Sequence, residues 1–282
     1  MNYRNMENKT FIKIPNNFFT IEKNEFSEEI EISKFKQFGT EGFTIWTYLL
    51  YTQGNQVSAQ TSIKRIQSFL NRNMDSRGKK AKNGLTDART IKKYLNVLLK
   101  MDMIKIEEFI DDDPDEEVKE QPKNNYFENI RADEELFIEV NPMDDGNGFS
   151  AISTQLFYDY VHKIGHIGWS IYCLLFKNHN TGFGNTDETY GNCGFASCSE
   201  EYIANILGIN KSTVSDYITN QIPKKLVKVQ SQPTTTYYDF QKNKEITKYM
   251  PNHYIVLAKG DSENKYYINN VKKTGKEAEK AS

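Results

Sequence analysis

Two stretches of the chain, GTEGFTIWTYLL beginning at Gly39 and GHIGWSIYCLLF beginning at Gly165, follow one pattern. Each has a glycine, two variable residues, a second glycine, an aromatic residue, a hydroxyl residue, isoleucine, a second aromatic residue, two variable residues and leucine. Both stretches are apolar enough to form a buried helix. Self-similarity within a chain indicates repeated architecture, so this pair decides how the rest of the sequence is interpreted.

Three further pairs of segments occur in the same order in the two halves. They are TIKKYL at 90–95 with TVSDYI at 213–218, MIKI at 103–106 with LVKV at 226–229, and FIKIPNNFF at 11–19 with FSAISTQLF at 149–157. Only the connecting loops differ in length. The sequence therefore predicts two copies of one fold, called copy one and copy two below.

Copy two shows the helices of the fold most clearly. Ser199 is a candidate N-cap for a helix EEYIANIL, and Ile203, Ile206 and Leu207 give that helix one apolar face. Gly208 is expected to end it. Asn210 is a candidate N-cap for a following helix, KSTVSDYITNQI, which Pro223 stops.

Two predicted strands, LVKVQSQP from Leu226 and HYIVLAKG from His253, follow these helices in copy two. Helix, helix, tight turn, helix and a two-stranded wing is the order of a winged helix-turn-helix. The spacing of Ala204, Gly208 and Val214 supplies the small residue, the turn glycine and the β-branched residue that a helix-turn-helix needs. GINKSTVS at 208–215 also resembles the helix-turn-helix of many bacterial repressors. A helical hairpin with a glycine turn and no DNA is the alternative.

Copy one has the same helices with a longer connection between them. SIKRIQSFL at 62–70 has one apolar face, and a third helix is expected from Thr86 or Asp87 to about Lys100. Between them lies a basic insertion at 71–84. It contains Arg72, Arg77, Lys79, Lys80 and Lys82 against the single acidic Asp75. The insertion either lies along DNA phosphates or is a solvated loop.

The predicted fold class is α+β, mostly α, with two tandem winged helix-turn-helix domains. The first domain is expected at 1–142 with an acidic wing at 107–139, and the second at 149–260. Turn-forming residues at 143–148 form the predicted linker, and residues 261–282 the predicted flexible tail.

The third helix of each copy is the candidate recognition helix, because such a helix enters the major groove with its first turn nearest the bases. Copy one presents Ala88, Arg89, Lys92 and Lys93 there, and copy two presents Lys211, Ser212, Ser215 and Asp216. Arg89 is a candidate for guanine and Asp216 for cytosine N4. Thr90 and Thr213 are expected to contact phosphates or to pack. An ordinary solvated surface is the alternative for the exposed lysines.

The formal net charge of −2 hides a segregated distribution. Residues 107–139 contain 14 acidic and 3 basic residues, so the remainder of the chain is basic. Over a Debye length of about 8 Å, the acidic block would repel phosphates, so the wing of copy one is expected to point away from DNA. It faces a basic partner or another protomer, or it is a solvated loop without a partner. The wing of copy two, near neutral and rich in aromatic residues, is expected to reach a minor groove or the DNA backbone.

Several kinds of chemistry lack their motifs in this sequence. There is no phosphate-binding loop of ATPases, and the four histidines, His162, His166, His179 and His253, form no metal-binding pattern. Cys193 and Cys198 with His179 lack a fourth zinc ligand, and Cys173 is expected in the core. We therefore expect no enzyme activity, no cofactor and no metal.

The expected location is the cytoplasm. No apolar run approaches the roughly 20 residues of a membrane span, and the first residues lack the apolar core of a signal peptide. Three cysteines, an odd number in a long chain, fit a reducing compartment.

FIKIPNNFF, followed by FKQFGTEGFTIWTYLL from Phe35, resembles the opening of winged-helix replication proteins from Gram-positive bacteria, their plasmids and phages. Both the DnaD amino-terminal domain and RepA-type initiators begin with such a strand and helix. The chain is also similar in architecture to iteron-binding plasmid initiators with two winged helices. It lacks the helical carboxy-terminal domain of DnaD, and unlike RepA-type proteins it has a second winged helix.

The resemblance implies a replication initiator that binds repeated double-stranded DNA sites at an origin. Such a protein would recruit host helicase or primosome proteins. A homodimer is a further expectation for this chain. A winged-helix transcription regulator and a winged-helix protein-interaction adaptor are the alternatives.

Overall fold

The computed structural model describes residues 11–19, 34–72, 87–106, 125–141, 148–181, 196–232, 234–239, 244–249 and 251–256. The fold is mixed α+β and roughly half helical. Among the described helices, none combines the length and the apolarity that a membrane crossing requires. The chain divides into two compact units. The first unit is Met1–Ser170 with Ile206–Gly208, and the second is Ile171–Asn205 with Ile209–Ser282.

The first unit begins with strand β1 and a short 3-10 turn, and its remaining elements alternate helices with short strands. In chain order they are β1 Phe11–Pro15, α1 Lys34–Gln53, β2 Ala59–Thr61, α2 Ile63–Leu70, α3 Ala88–Lys100, β3 Ile104–Ile106, β4 Leu136–Val140, β5 Phe149–Ser153 and the start of α4, Thr154–Thr181. Strand β4 lies between β2 and β3 and is antiparallel to both. Its alternate residues Leu136, Ile138 and Val140 are buried.

The second unit contains the end of α4 and a second set of helices and strands. They are β6 Ala196–Ser197, α5 Glu200–Leu207, α6 Lys211–Asp216, β7 Val227–Gln230, β8 Thr234–Asp239, β9 Lys244–Tyr249 and β10 His253–Val256. A π-helical turn, Tyr217–Gln221, continues α6. Strand β10 lies between β6 and β7, and β8 pairs with β9 as a separate antiparallel hairpin.

The two halves of the chain share one order of elements. Each has a long kinked helix, a short strand, two helices and two further strands, and in the second half the β8–β9 hairpin is inserted between those two strands. In each half the last strand lies at the centre of a three-stranded antiparallel sheet. The kink is at the first glycine of the repeated pattern in both. Gly39 has φ 66° and ψ −174°, and Gly165 has φ 67° and ψ −177°. This backbone conformation is essentially restricted to glycine, which explains why glycine occupies both positions.

Strands β1 and β5, which belong to the third matched pair of segments, are hydrogen-bonded to each other in the first unit. Phe11 pairs with Ser153 and Pro15 with Phe149 in an antiparallel register. Because of this pairing, β5 and the start of α4 lie in the first unit, and the units divide after Ser170. The sequence-based division at 143–148 differs from this one, and 142–147 lie outside the described residues.

The predicted boundaries of α2, α3 and α5 are confirmed, and so is the predicted start of α6. Helix α3 begins after Asp87, whose side chain accepts a hydrogen bond from the Arg89 backbone N–H. The Ser199 hydroxyl accepts from the Tyr202 N–H at the start of α5, and Gly208 has the positive φ of 65° expected at the end of that helix. Asn210 occupies the N-cap position of α6, but its side chain makes no capping hydrogen bond.

The core of the first unit is a cluster of aromatic side chains. Phe43 on α1 is fully buried and lies between 5.3 and 6.5 Å, centroid to centroid, from five other rings. Those rings belong to Phe18, Phe19, Phe35, Phe38 and Trp46. In the second unit Cys173 is buried, as predicted. Burial of large aromatic side chains is the main source of stability in such a core.

For the acidic wing predicted at 107–139, the alternative of a solvated loop is wrong in the second part of the segment. Residues 125–139 are folded rather than a solvated loop: Phe127 is fully buried, and β4 occupies the centre of its sheet. The apolar residues interspersed among the carboxylates explain this, because they alternate along the strand and reach the core. Residues 107–124, residues 73–86 with most of the predicted insertion at 71–84, and the predicted tail at 261–282 lie outside the described residues.

Candidate nucleic-acid interface

Helix α3 has an apolar side and a cationic side. Ile91, Leu95 and Leu98 are fully buried against the rest of the first unit. Arg89, Lys93 and Lys100 are exposed. Because Arg89, Lys93 and Lys100 are spaced at i, i+4 and i+11, they lie on one side of the helix. The apolar periodicity that buries the helix therefore also aligns its positive charges.

A groove of about 520 Å³ runs beside this cationic side of α3. It is lined by Arg89, Lys92, Lys93, Asn96, Val97, Lys100, Asn125 and Glu128. Four of these eight side chains are cations and one is a carboxylate, so the residues that line the groove carry a net positive charge. We refer to it below as the α3 groove. Lys100 was missed by the sequence analysis, which considered only the first turns of the helix.

Lys92, a predicted DNA contact, is engaged within the protein. Its Nζ donates to the backbone oxygen of Glu128 at 3.1 Å and to that of Ile130 at 2.6 Å. One turn along α3, the Asn96 side-chain oxygen accepts from the Phe127 N–H at 3.1 Å. These contacts hold residues 125–130 against α3. No sequence signal could have found them, because the partners are more than 30 residues apart.

A hydrogen-bonded chain links α3 to α1 and to the start of α4 inside the first unit. The Tyr94 hydroxyl donates to Glu41 Oε2 at 3.4 Å, and the Thr40 hydroxyl donates to the same oxygen at 3.0 Å. The Oγ1 of Thr40 is 2.8 Å from His166 Nδ1. Burial lowers the pKa of His166, and Glu41 opposes that shift. Burial also raises the pKa of Tyr94, with Glu41 adding to the effect.

The described part of the basic insertion is its first arginine, Arg72. Its guanidinium lies 3.8 Å from the centre of the Tyr158 ring and donates to the Tyr158 backbone oxygen at 3.0 Å. Arg72 therefore fastens the end of α2 to the start of α4. The predicted contacts Arg77, Lys79, Lys80 and Lys82 lie outside the described residues.

Helix α6 presents a different surface. Lys211, Ser212 and Asp216 are exposed, Thr213 and Ser215 are half-buried, and Val214 is buried. The carboxylate of Asp216 accepts from Asn220 Nδ2 at 2.8 Å and from Gln221 Nε2 at 3.4 Å. Donors and acceptors thus alternate along this helix, and Lys211 supplies its positive charge. The helix that the sequence predicted to continue to Ile222 changes to a π-helical turn at Tyr217.

The hairpin of β8 and β9 extends the second unit with polar side chains. The Thr236 and Thr247 hydroxyls face each other across the two strands at 3.3 Å. Tyr238 is 44% exposed, and Lys244 and Glu245 are exposed beside the turn. The described side chains of this hairpin are therefore mostly polar and exposed. The sequence analysis placed a near-neutral wing here but did not predict its strands.

Among the residues that the structure describes, no site is suited to metal binding or to thiol chemistry. No group of three or more histidine, cysteine or acidic side chains lies close enough to hold a metal ion there. Burial raises the pKa of Cys198 to about 12 and that of Cys173 as well. A thiol with a raised pKa is a poor nucleophile at neutral pH, because the thiolate is the reactive form.

A scan against models of known protein families finds no match, and searches of curated proteins and of solved structures find no similar protein either.

Proposed function

We propose that this chain is a sequence-specific double-stranded DNA-binding protein with two tandem winged-helix modules and no catalytic chemistry of its own. The single observation that carries the proposal is the α3 groove, where Arg89, Lys93 and Lys100 lie exposed on one side of a helix. The shared order of helices and strands in the two halves supports the winged-helix architecture. In that architecture α3 and α6 are the recognition helices.

The chemistry of the α3 groove suits a polyanion. Lysine and arginine side chains that neutralise phosphates release counterions, which is the main source of non-specific DNA affinity. Arg89 lies in the first turn of α3, and an arginine there can form two hydrogen bonds to a guanine. In α6 the exposed hydroxyl of Ser212 and the carboxylate of Asp216 are groups that contact base edges. The hairpin of β8 and β9 is the proposed wing of the second module.

We further propose replication initiation as the biological role, because the opening of the chain resembles that of winged-helix replication proteins. The protein would bind repeated sites at an origin of a plasmid or phage and recruit host helicase or primosome proteins. Homodimer formation on such repeats is part of this proposal.

The direct test is the affinity of the purified protein for a mixed-sequence 30-bp duplex, measured by fluorescence anisotropy between 50 and 300 mM salt. We expect the logarithm of the association constant to fall linearly with that of the salt concentration, with a slope of about −0.9 per phosphate contact. The triple variant Arg89→Ala, Lys93→Ala and Lys100→Ala should bind at least tenfold more weakly at low salt and have a slope smaller by about two to three.

The matched control replaces Lys13 and Lys163, which are exposed in the same unit but do not line the α3 groove. This control should bind nearly as well as the wild type. An affinity that does not change with salt concentration and is not weakened by the triple substitution would contradict the proposal. It would instead indicate a protein-interaction adaptor.

Footprinting on the replicon that encodes the protein tests the proposed role. We expect protected repeats beside an AT-rich segment, and loss of replication when the coding sequence is deleted. Protection of a promoter alone, with replication unaffected by the deletion, would instead identify a transcription regulator.

A further inference from the structure

The α3 groove contains one carboxylate among its cations. Glu128 is the acidic residue among the eight that line the groove, and it is exposed there. A carboxylate within a Debye length of phosphates repels them, so Glu128 weakens any binding that depends on charge alone.

Glu128 is also held in place by its neighbours. Lys92 Nζ bonds its backbone oxygen and that of Ile130, and Asn96 bonds the N–H of the preceding residue. That preceding residue, Phe127, is fully buried. The chain enters this segment through Asn125, which has a positive φ of 59°. The backbone under Glu128 is thus fixed on both sides, and its side chain projects from a rigid position at the edge of the groove.

We infer, resting on the proposed function, that Glu128 is a specificity-determining residue of the α3 groove. In this role its carboxylate accepts a hydrogen bond from an exocyclic amino group of a base, most simply cytosine N4. Carboxylates accept from cytosine N4 in the major groove, where each base pair presents a distinct pattern of donors and acceptors. Lys92 is then a positioning residue, since it donates hydrogen bonds to two backbone oxygens of the segment that carries Glu128.

The Glu128 side chain is therefore expected to affect DNA binding in two opposite ways. Against phosphates and mismatched bases Glu128 lowers affinity, and against the correct base pair it offsets that loss with a hydrogen bond. Removing its charge should therefore raise non-specific binding and weaken discrimination at one base pair. Removing the charge of a residue without contact to DNA could change non-specific binding but not the discrimination at one base pair. Replacing a residue that only stabilises the fold would not strengthen non-specific binding.

The experiment is selection of bound sequences from a random duplex pool, followed by affinity measurements on single-base variants of the selected site. Glu128→Gln should bind a mixed-sequence duplex about two- to threefold more tightly at low salt. It should also lose roughly tenfold discrimination at one position, with the preference moving from cytosine towards adenine, because a glutamine amide pairs with adenine. The isosteric control Asp133→Asn removes the same charge from a side chain that pairs with Arg131 and does not line the groove. This control should leave the selected sequence unchanged.

Lys92 supplies the second arm of the test. Lys92→Met removes the donor and should relax discrimination at the same base pair as Glu128→Gln, with no added loss in the double variant. Its salt slope should equal that of the wild type, because Lys92 contacts protein rather than phosphate. Lys92→Arg, which keeps a donor, should restore discrimination. A slope reduced by about 0.9 in Lys92→Met would make Lys92 a phosphate contact and overturn its positioning role.

The two proposals fail in different ways. If the wild type selects no sequence and does not bind the duplex, the proposed function is wrong. If the wild type selects a sequence and Glu128→Gln selects the same one with the same discrimination, the function stands and the role of Glu128 is wrong.

Discussion

Helices α3 and α6 occupy matched positions in the sequence repeat, yet their exposed residues differ in chemistry. Their buried positions agree in character: Ile91 corresponds to Val214, and Leu95 to Ile218. Their exposed positions do not, because Arg89 corresponds to Ser212 and Lys93 to Asp216. At this last pair the charge is reversed.

This difference shows which positions the fold constrains and which it leaves to function. Residues that pack a helix must be apolar and of suitable size, so the repeat keeps them. Exposed residues contribute little to stability and can diverge towards different contacts. The α3 surface is suited to a polyanion backbone, and the α6 surface to donors and acceptors of both kinds. The predictions below break or sharpen this contrast, starting with the largest expected effect.

Replacing the first aromatic residue of the repeated pattern should destabilise the protein to a similar extent in its two occurrences. Phe43 and Trp169 are matched residues, and both are fully buried in the first unit. Phe43→Ala and Trp169→Ala should each lower the free energy of unfolding by about 3–5 kcal/mol, because each leaves a large cavity. Guanidinium unfolding followed by circular dichroism measures this.

The exposed aromatic residues Phe11 and Phe149 are the controls for that experiment. They are also matched by the repeat, but they are 44% and 53% exposed. Their replacement by alanine should cost less than about 1 kcal/mol each. A cost at Trp169 as small as that at Phe149 would show that the second occurrence of the pattern does not serve as a core position.

Replacing the glycines at the two helix kinks should cause the next largest loss of stability. Gly39→Ala and Gly165→Ala should each destabilise the protein by about 1–3 kcal/mol, because alanine is strained at a φ near +66° with ψ near 180°. At Gly39 the cause is the backbone alone, since an added methyl group would meet Glu41 Oε2 at 3.6 Å, an ordinary van der Waals distance. Thermal unfolding measures both variants, and an unchanged melting temperature would contradict the observed kink.

Exchanging the charge at the matched positions 93 and 216 tests the contrast between the two helices directly. Lys93→Asp should weaken binding to a mixed-sequence duplex about tenfold at 50 mM salt, because a phosphate contact is replaced by a repulsion. Asp216→Lys should strengthen it several-fold. Lys163→Asp makes the same change of charge outside α3 and should have a smaller effect than Lys93→Asp. Equal losses at 93 and 163 would mean that net charge, rather than the α3 groove, sets the affinity.

The sequence predicted the helices of this protein better than its strands and contacts. Helix boundaries depend on local signals, such as the Asp87 cap and the turn at Gly208, and these were visible. Strands β2 and β6 are two or three residues long and form only by pairing with a strand far along the chain, so local periodicity could not indicate them.

The candidate site also combines residues that the sequence predicted with contacts that it did not. The exposed cations of α3 follow from helical periodicity, and Arg89 and Lys93 were named from it. The contacts of Lys92 with residues 128 and 130 depend on how a distant segment folds back, and the acidic composition of that segment indicated solvent instead. The segment is folded despite those charges because Phe127 is buried in the core, and that burial is visible only in the folded structure.

The smallest predicted effect concerns another matched pair, Thr40 and His166, which follow the two kink glycines and contact each other at 2.8 Å. The Thr40 hydroxyl gives its single hydrogen to Glu41, so His166 Nδ1 must carry a hydrogen and donate to Thr40. Burial lowers the pKa of His166 in the folded protein below its usual 6.5, as it also does for His162 and His253. The folded state therefore holds these imidazoles neutral at a pH where the unfolded chain takes up protons.

Because the unfolded state binds more protons, the free energy of unfolding should fall as the pH is lowered through 6.5 towards the folded-state pKa values, and it should level off below them. Urea unfolding at a series of pH values from 8 to 5.5 measures this, with each pKa unit of difference corresponding to about 1.4 kcal/mol. His166→Asn keeps a donor near Thr40 but does not titrate, so its stability should depend less steeply on pH than that of the wild type. A slope unchanged by this substitution would assign the pH dependence to His162 and His253. The matched positions 40 and 166 would then differ in size and shape but not in their contribution to acid sensitivity.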